Sequence, residues 1–266
     1  MSDTTRGQVT ASAAEVYDEF YLPALFQEWA PRVADAAQIQ PGQRILDVAC
    51  GTGVVARTLA ERVGPSGSVV GLDINDGMLA VAQRKAPHLE WRPGSVEQLP
   101  FEANSFDAVT CQFALMFFDN RRKAIEEMMR VLRPGGHLVV AVWDSLEHTP
   151  GYAAVVKLLQ RLFGDAVADS MRAPYVLGNT QTLRSLFAEA GISEVTITTH
   201  EGTARFPSLR SWVYTDVKGW TAADMIDEAG FDRLLAEAEH ALQSFVTGEG
   251  TVAFSAPAHI VTTTKR

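Results

Sequence analysis

The chain has 266 residues, 47% of them apolar, and a net charge of −9 with a pI near 5.2. That length holds one large α/β domain or two small ones, and the apolar share excludes general disorder. The acidic balance, with no basic stripe, disfavours a nucleic-acid partner. Residues 1–9 are polar and lack a signal-peptide core, and the longest apolar run, near 138–143, is far short of the ~18 residues of a membrane span. Cys50 and Cys111 lack metal-ligand spacing, so no metal is expected and a reduced, cytoplasmic setting fits.

In chain order, residues 1–10 read as a flexible tail. From Ser12 an apolar stripe of Val16, Phe20, Leu25, Phe26 and Trp29 predicts a helix broken at Pro23, with a second helical piece over 32–37. The aromatic density (Tyr17, Phe20, Tyr21, Phe26, Trp29) makes residues 1–39 a candidate lid; packing on the sheet edge explains it equally. Gln40-Pro41-Gly42 is a turn. Ile45, Leu46 and Val48 then form a short apolar run, as in a strand buried on both faces of a parallel sheet. The run carries Asp47 and passes through Ala49 and Cys50 into Gly51-Thr52-Gly53, after which Val54, Val55, Leu59 and Val63 take helical spacing.

Two glycines at a strand-to-helix turn let backbone approach a ligand closely, and the helix start offers unpaired N–H groups. A dinucleotide fits such a turn, with its pyrophosphate on the helix. So does S-adenosylmethionine, which has no phosphate and carries a sulfonium and an ammonium. Asp47 would repel a diphosphate and suits a cation. The second strand, around 69–72, ends at Asp73, which lies about 20 positions beyond Gly53, where an acid accepts from ribose hydroxyls in the nucleotide version of this arrangement. Asn75 and Asp76 are placed to cap the next helix, so Asp73 is not needed for that. Ile74 and Met78 would flank an adenine.

A third strand is expected around Leu89, Trp91 and Pro93, and a fourth over 107–112, ending at Gln112 in the crevice where open α/β sheets bind ligands. The apolar cluster 113–118 mixes core with pocket wall. A helical stripe from Ala124 to Leu132 stops at Arg133-Pro134-Gly135-Gly136, and a fifth strand covers 137–143. Beyond it come a helix over 152–163, a loop through Pro174-Tyr175 and Gly178-Asn179, a helix carrying Leu183, Leu186 and Phe187, and an alternating strand at Val195, Ile197 and Thr199. Residues 208–247 are mostly helical, and a last strand runs over 259–264, next to Val252 and Phe254.

The string DVACGTGVVA at 47–56 resembles motif I of the class I S-adenosylmethionine-dependent methyltransferases, in their ubiquinone/menaquinone methyltransferase-like (type 11) branch. Residues 94–101 resemble that family's G-D-A-x-x-L-P-F segment with Ser95 in place of Asp. Residues 105–109 match S-F-D-x-V, and 132–138 match L-R-P-G-G-x-L. The resemblance covers about residues 40–143. It implies S-adenosylmethionine as cofactor, held at Asp47, Ala49, Gly51 and Gly53. Asp73 would take both ribose hydroxyls, Ser95 and the Val96 N–H the adenine edge, and Gln112 the methionine end or the substrate. A hydroxyl is a weaker acceptor than a carboxylate, which puts the Ser95 side-chain contact in doubt.

The expected fold is a doubly wound, seven-stranded Rossmann-like sheet with its last strand antiparallel. The expected organisation is a lid at 1–39 and a methyltransferase domain at 40–266, with helical cover insertions at 145–180 and 201–250. The expected activity is methyl transfer to a small lipophilic or aromatic metabolite at oxygen, carbon or nitrogen. A nicotinamide-dependent oxidoreductase and a non-catalytic cofactor-binding subunit are the alternatives. His148, Tyr175 and His200 are titratable candidates, but no catalytic residue is assigned.

Overall fold

The structure, a computed structural model, describes residues 11–218 and 225–266; the expected tail at 1–10 and part of the 201–250 cover lie outside them. The strands are β1 Arg44–Val48, β2 Ser68–Asp73, β3 Glu90–Pro93, β4 Phe106–Gln112, β5 Leu132–Trp143, β6 Thr196–His200, β7 Thr203–Phe206, β8 Val252–Ser255 and β9 Ala258–Thr264. Seven of them form one sheet in the order β3-β2-β1-β4-β5-β9-β6, parallel from β3 to β5, with β9 antiparallel to both neighbours. The expected sheet and its antiparallel last strand are therefore both present. Strands in the middle of such a sheet are covered on both faces, which is why Ile45, Leu46, Val48, Val109 and Val139 are fully buried.

The helices are α1 Ala11–Val16, α2 Trp29–Ala36, α3 Val54–Val63, α4 Asp76–Lys85, α5 Arg121–Val131, α6 Pro150–Phe163, α7 Asp165–Arg172, α8 Thr180–Glu189, α9 Leu209–Lys218 and α10 Glu228–Ala241. Asn75, Asn120 and Asn179 cap α4, α5 and α8, each accepting from a backbone N–H three residues on.

Four local expectations change. Pro23 does not break the first helix. Instead α1 continues into a ten-residue π-helix, Tyr17–Phe26, whose end is closed by Gln27 N–H donating to Leu22 O at 2.8 Å. The wider turn accommodates a residue that cannot donate. The strand after α5 starts at Leu132, five residues early. Arg133-Pro134-Gly135-Gly136 is an irregularity within it, held by Gly135 N–H on Lys265 O at 2.7 Å. Residues 165–172, read as loop, form α7, because Val167, Ala168 and Met171 make one buried face. Val252 and Phe254 pair not with the last strand but with β7, in a separate two-stranded ribbon.

Candidate functional site

Strands β1, β2, β4 and β5 all deliver their carboxyl ends to one edge of the sheet, where the chain must turn away. At β1 that turn is left-handed at three points: Ala49 (φ 50°), Gly51 (φ 55°) and Gly53 (φ 82°). Gly53 starts α3, and a Cβ there would come within 2.3 Å of the Trp91 ring, so only glycine fits. Trp91 is itself pinned, its indole donating to Ala86 O at 2.9 Å and its face lying against Gly71. Gly51 is the opposite case. A Cβ there would meet no atom within 4 Å, so this side of the turn stands open.

Two buried carboxylates flank the turn. Asp73 accepts from Gly51 N–H and Asn75 N–H, both at 2.8 Å; burial pushes its carboxyl up, and these amides offset part of that push. Asp47 is 1% exposed and accepts from the Thr110 hydroxyl at 2.7 Å, while its Oδ2 has no hydrogen-bond partner. Burial raises the Asp47 carboxyl to about 7, against the pull of the Thr110 hydroxyl and the Ala56 N–H. At the end of β4, Gln112 donates to Phe26 O at 3.4 Å, and its Oε1 is likewise buried without a partner. Orphaned acceptors next to an open glycine turn suit a cationic ligand rich in donors, and suit a diphosphate poorly. The residues present therefore fit S-adenosylmethionine.

The remaining sequence-derived positions gather near this edge. Met78 and Val96 are buried, whereas Ile74 is 57% exposed beside Asp73. The Ser95 hydroxyl accepts from Glu97 N–H at 3.2 Å, capping the short turn Val96–Gln98. That bond engages one of its acceptor positions internally. Among the titratable candidates, His148 is exposed and bonded to Asp144 at 2.9 Å, which raises its pKa. His200 ends β6 at the far edge of the sheet. Only Tyr175 enters the enclosed space described next.

Above the turn, α1 and the π-helix close the edge. Glu15 pairs with Arg84 at 2.9 Å and Asp18 with Lys85, tying this segment to α4. The Tyr17 hydroxyl is pushed up by burial and by the nearby Asp73 and Asp18. Phe113, itself at φ 54°, stacks on Trp143 at 3.7 Å, and Phe26 and Trp29 pack around that pair at 5.6–5.8 Å. Beside them lies an aromatic slot lined by Tyr21, Phe26, Phe113, Trp143, Tyr152 and Tyr175, among others, enclosing only about 20 Å³. A hollow of about 770 Å³ around His137, Glu194 and Thr264 lies at the opposite end of the sheet, away from all these groups.

Behind the slot sits a carboxylate that the sequence reading passed over. Asp216 on α9 is 3% exposed and accepts from the Tyr21 hydroxyl at 2.7 Å. Burial pushes it up to about 7. A signal for it existed: Asp216 stands four residues after the fully buried Trp212, on the inward face of its helix.

Among the described residues, no group of three or more His, Cys, Asp or Glu could hold a metal ion, and no helix is long and apolar enough to cross a membrane. A "Methyltransferase domain" family model matches residues 46–140, the stretch from β1 through most of β5. A demethylmenaquinone methyltransferase of Staphylococcus epidermidis is 35% identical over 211 residues, covering 73% of this chain and 87% of that protein. One from Lysinibacillus sphaericus is 33% identical over 214 residues, covering 74% and 91%. Among solved structures, the YcgJ protein of Bacillus subtilis shares the fold with a TM-score of 0.62 at 19% identity, covering 90% of this chain and 98% of that one. A Haemonchus contortus phosphoethanolamine N-methyltransferase, solved with S-adenosyl-L-methionine, does so at 0.60 and 17%, covering 97% and 58%. These likenesses favour methyl transfer over the oxidoreductase and the non-catalytic alternatives. The chain belongs to the class I S-adenosylmethionine-dependent methyltransferases, in the branch that contains the demethylmenaquinone methyltransferases.

Proposed function

We propose that the glycine turn and its two carboxylates hold S-adenosylmethionine, and that the aromatic slot receives a small, lipophilic, ring-bearing acceptor. The observation that carries this reading is the join between the two: Phe113 follows Gln112 directly at the end of β4, so the orphaned Gln112 oxygen and the stacked Phe113–Trp143 pair meet at one strand end. In this reading Ala49, Gly51 and Gly53 present backbone, and Asp47 and Gln112 accept from the cationic end. Asp73 exchanges its Gly51 bond for ribose hydroxyls. Ile74 and Met78 flank the adenine, with the Val96 N–H and the Ser95 hydroxyl at its edge.

When bound, S-adenosylmethionine supplies a methyl group already made electrophilic by its sulfonium. The protein's share of the work is alignment and dryness. Orienting two reactants contributes on the order of 7–11 kcal/mol at best. The aromatic walls exclude water and leave a flat ring few ways to lie. The relatives are named for a menaquinone precursor, and an acceptor of that kind, aromatic and poorly soluble, matches the walls of this slot.

The slot as it stands is far smaller than the ~300 Å³ at which ligand pockets begin, so acceptor entry requires the cover to move. In this reading the described residues of the expected lid and cover, 11–39, 145–180, 201–218 and 225–250, are the segments that do so. Cys50 and Cys111, both buried thiols, suit a reducing compartment such as the cytoplasm, and the acidic surface does not suit nucleic acid. Calorimetric titration with S-adenosylmethionine, followed by mass spectrometry of products formed from a quinol panel, tests the reading. Saturable binding with a methylated quinol is the expected result. Absence of binding removes the cofactor site, and binding without any methylated quinol removes the acceptor class.

A further inference from the structure

The slot's walls are almost wholly apolar, yet three tyrosines converge on it from three separate elements: Tyr21 from the π-helix, Tyr152 from α6 and Tyr175 from the turn Ala173–Tyr175. Tyr152 packs 5.9 Å from Tyr175 and 6.3 Å from Trp212. Behind them Asp216 accepts a hydrogen bond from the Tyr21 hydroxyl, and the Tyr152 hydroxyl and Trp212 indole N–H also pull on this carboxylate, though neither completes a full hydrogen bond to its second oxygen. A buried carboxylate held only by neutral donors is costly to keep in a core built for stability alone.

We propose that Tyr21 and Asp216 form a proton relay that takes the hydroxyl proton from a phenolic or enolic acceptor bound in the slot. This rests on the acceptor reading given above. Tyr21 stands between the slot and the carboxylate, so it touches the acceptor and Asp216 acts through it. The geometry favours an acid over an amine. The negative charge is set back behind a neutral hydroxyl, where it attracts an ammonium weakly, while the apolar walls admit an uncharged phenol and penalise a cation.

The step balances as follows. The acceptor's hydroxyl proton passes to the Tyr21 oxygen as the Tyr21 proton passes to Asp216 Oδ1. The freed electron pair, at the acceptor oxygen or its conjugated carbon, forms the bond to the methyl carbon. The carbon–sulfur pair remains on sulfur. Where carbon is methylated, that carbon then sheds its own hydrogen as a proton and the hydroxyl re-forms. Asp216 releases its proton when the cover opens. The groups facing Asp216 are Tyr21, Tyr152 and Tyr175 from other elements and Trp212 from its own, so among the described residues no cation is seen to hold it ionised. Burial keeps it near 7, where it exchanges a proton readily, and holds the Tyr21 phenol well above its usual range, so Tyr21 passes charge on without keeping it.

The test uses the full chain with S-adenosylmethionine and two acceptors: 2-naphthol, un-ionised at neutral pH, and 4-nitrophenol, assayed at a pH where it is already ionised. Asp216→Asn is expected to lose roughly 100-fold in kcat on 2-naphthol with KM within about twofold, and to stay within about threefold on 4-nitrophenolate. Tyr21→Phe should give the same split, and Asp216→Glu should restore part of the 2-naphthol rate. A binding readout runs in parallel by absorbance: above pH 7 the asparagine variant should hold 4-nitrophenolate more tightly than the wild type, because a like charge is gone. Equal losses on both acceptors in Asp216→Asn and Tyr21→Phe, or unchanged kcat on 2-naphthol, overturn the relay and leave the acceptor class standing. Methylation of a quinol but of neither phenol overturns the relay as a route for phenolic acceptors. Methylation of neither phenols nor quinols by wild-type enzyme that binds S-adenosylmethionine overturns the acceptor class and the relay with it.

Discussion

At the glycine turn, the Asp73 carboxylate accepts two backbone N–H bonds from residues at most 22 positions away. In the cover, the Asp216 carboxylate accepts one hydroxyl from a residue 195 positions away. Both are buried and both are pushed up by desolvation. They differ in what would follow from moving their partners. Backbone amides at a rigid turn stay put, so they hold the Asp73 carboxylate in place. The partner of Asp216 rides on the π-helix, so that bond lasts only while the segment is seated. The contrast separates what we propose as a fixed cofactor cradle from what we propose as a chamber assembled on closure.

The comparison can be broken first at the cradle. Gly53→Ala forces a left-handed φ on an L-residue and drives a methyl into Trp91, whose ring is pinned to Ala86 and Gly71. A loss of roughly 2–5 kcal/mol in unfolding free energy is expected by denaturant titration. A much smaller loss would show that the turn is soft.

The next effect is a pH dependence. The Asp47 carboxyl lies at about 7 in the fold and 3.8 in an ordinary setting, so between about pH 4 and 7 the folded chain holds more protons than the unfolded one. Stability from this group is therefore fully present below about pH 4, falls as pH rises, and is flat above about 7. Asp47→Asn should remove that slope and raise stability at pH 8 by on the order of 3 kcal/mol, read by thermal scans. If Asp47 holds S-adenosylmethionine, wild-type affinity should rise as pH rises through about 7, because the carboxylate form is the one a cation selects, and the variant should lack that rise.

Asp73→Ala should weaken S-adenosylmethionine binding by roughly 1–3 kcal/mol by calorimetry. Unchanged affinity would take Asp73 out of the site. The smallest effect sharpens the other side of the comparison. Lys85→Ala cuts a partly exposed tie between α4 and the lid, and stability should change by less than about 1 kcal/mol. Amide exchange over residues 11–26 should nonetheless quicken, while α3 is unaffected. Equal exchange in both would mean that the lid is no looser than the cradle.

The cradle was readable because its parts are local. The strand, the acid, the two glycines and the following helix fall within residues 45–63, and Asp73 closes the very next strand. The chamber was not. Tyr21, Phe113, Trp143, Tyr152, Tyr175 and Asp216 meet only once the sheet and cover are in place, so local signals at Tyr21, Phe113, Tyr175 and Asp216 could not show that they share one space. The aromatic entry marked the lid, but the stripe could not show that Pro23 would sit inside a wide-turned helix. Likewise the alternation at Val252 and Phe254 marked a strand and misjudged its partner, because pairing is chosen by what lies alongside and β7 comes to hand first.

One segment, residues 11–26, is tied through Glu15 and Asp18 to the last turn of α4 and through Tyr21 to Asp216. On the proposed reading, one door would serve both compartments. Spent cofactor and methylated product would then depart in the same event, turnover would follow how often that door lifts, and a tight inhibitor in either compartment would trap whatever occupies the other.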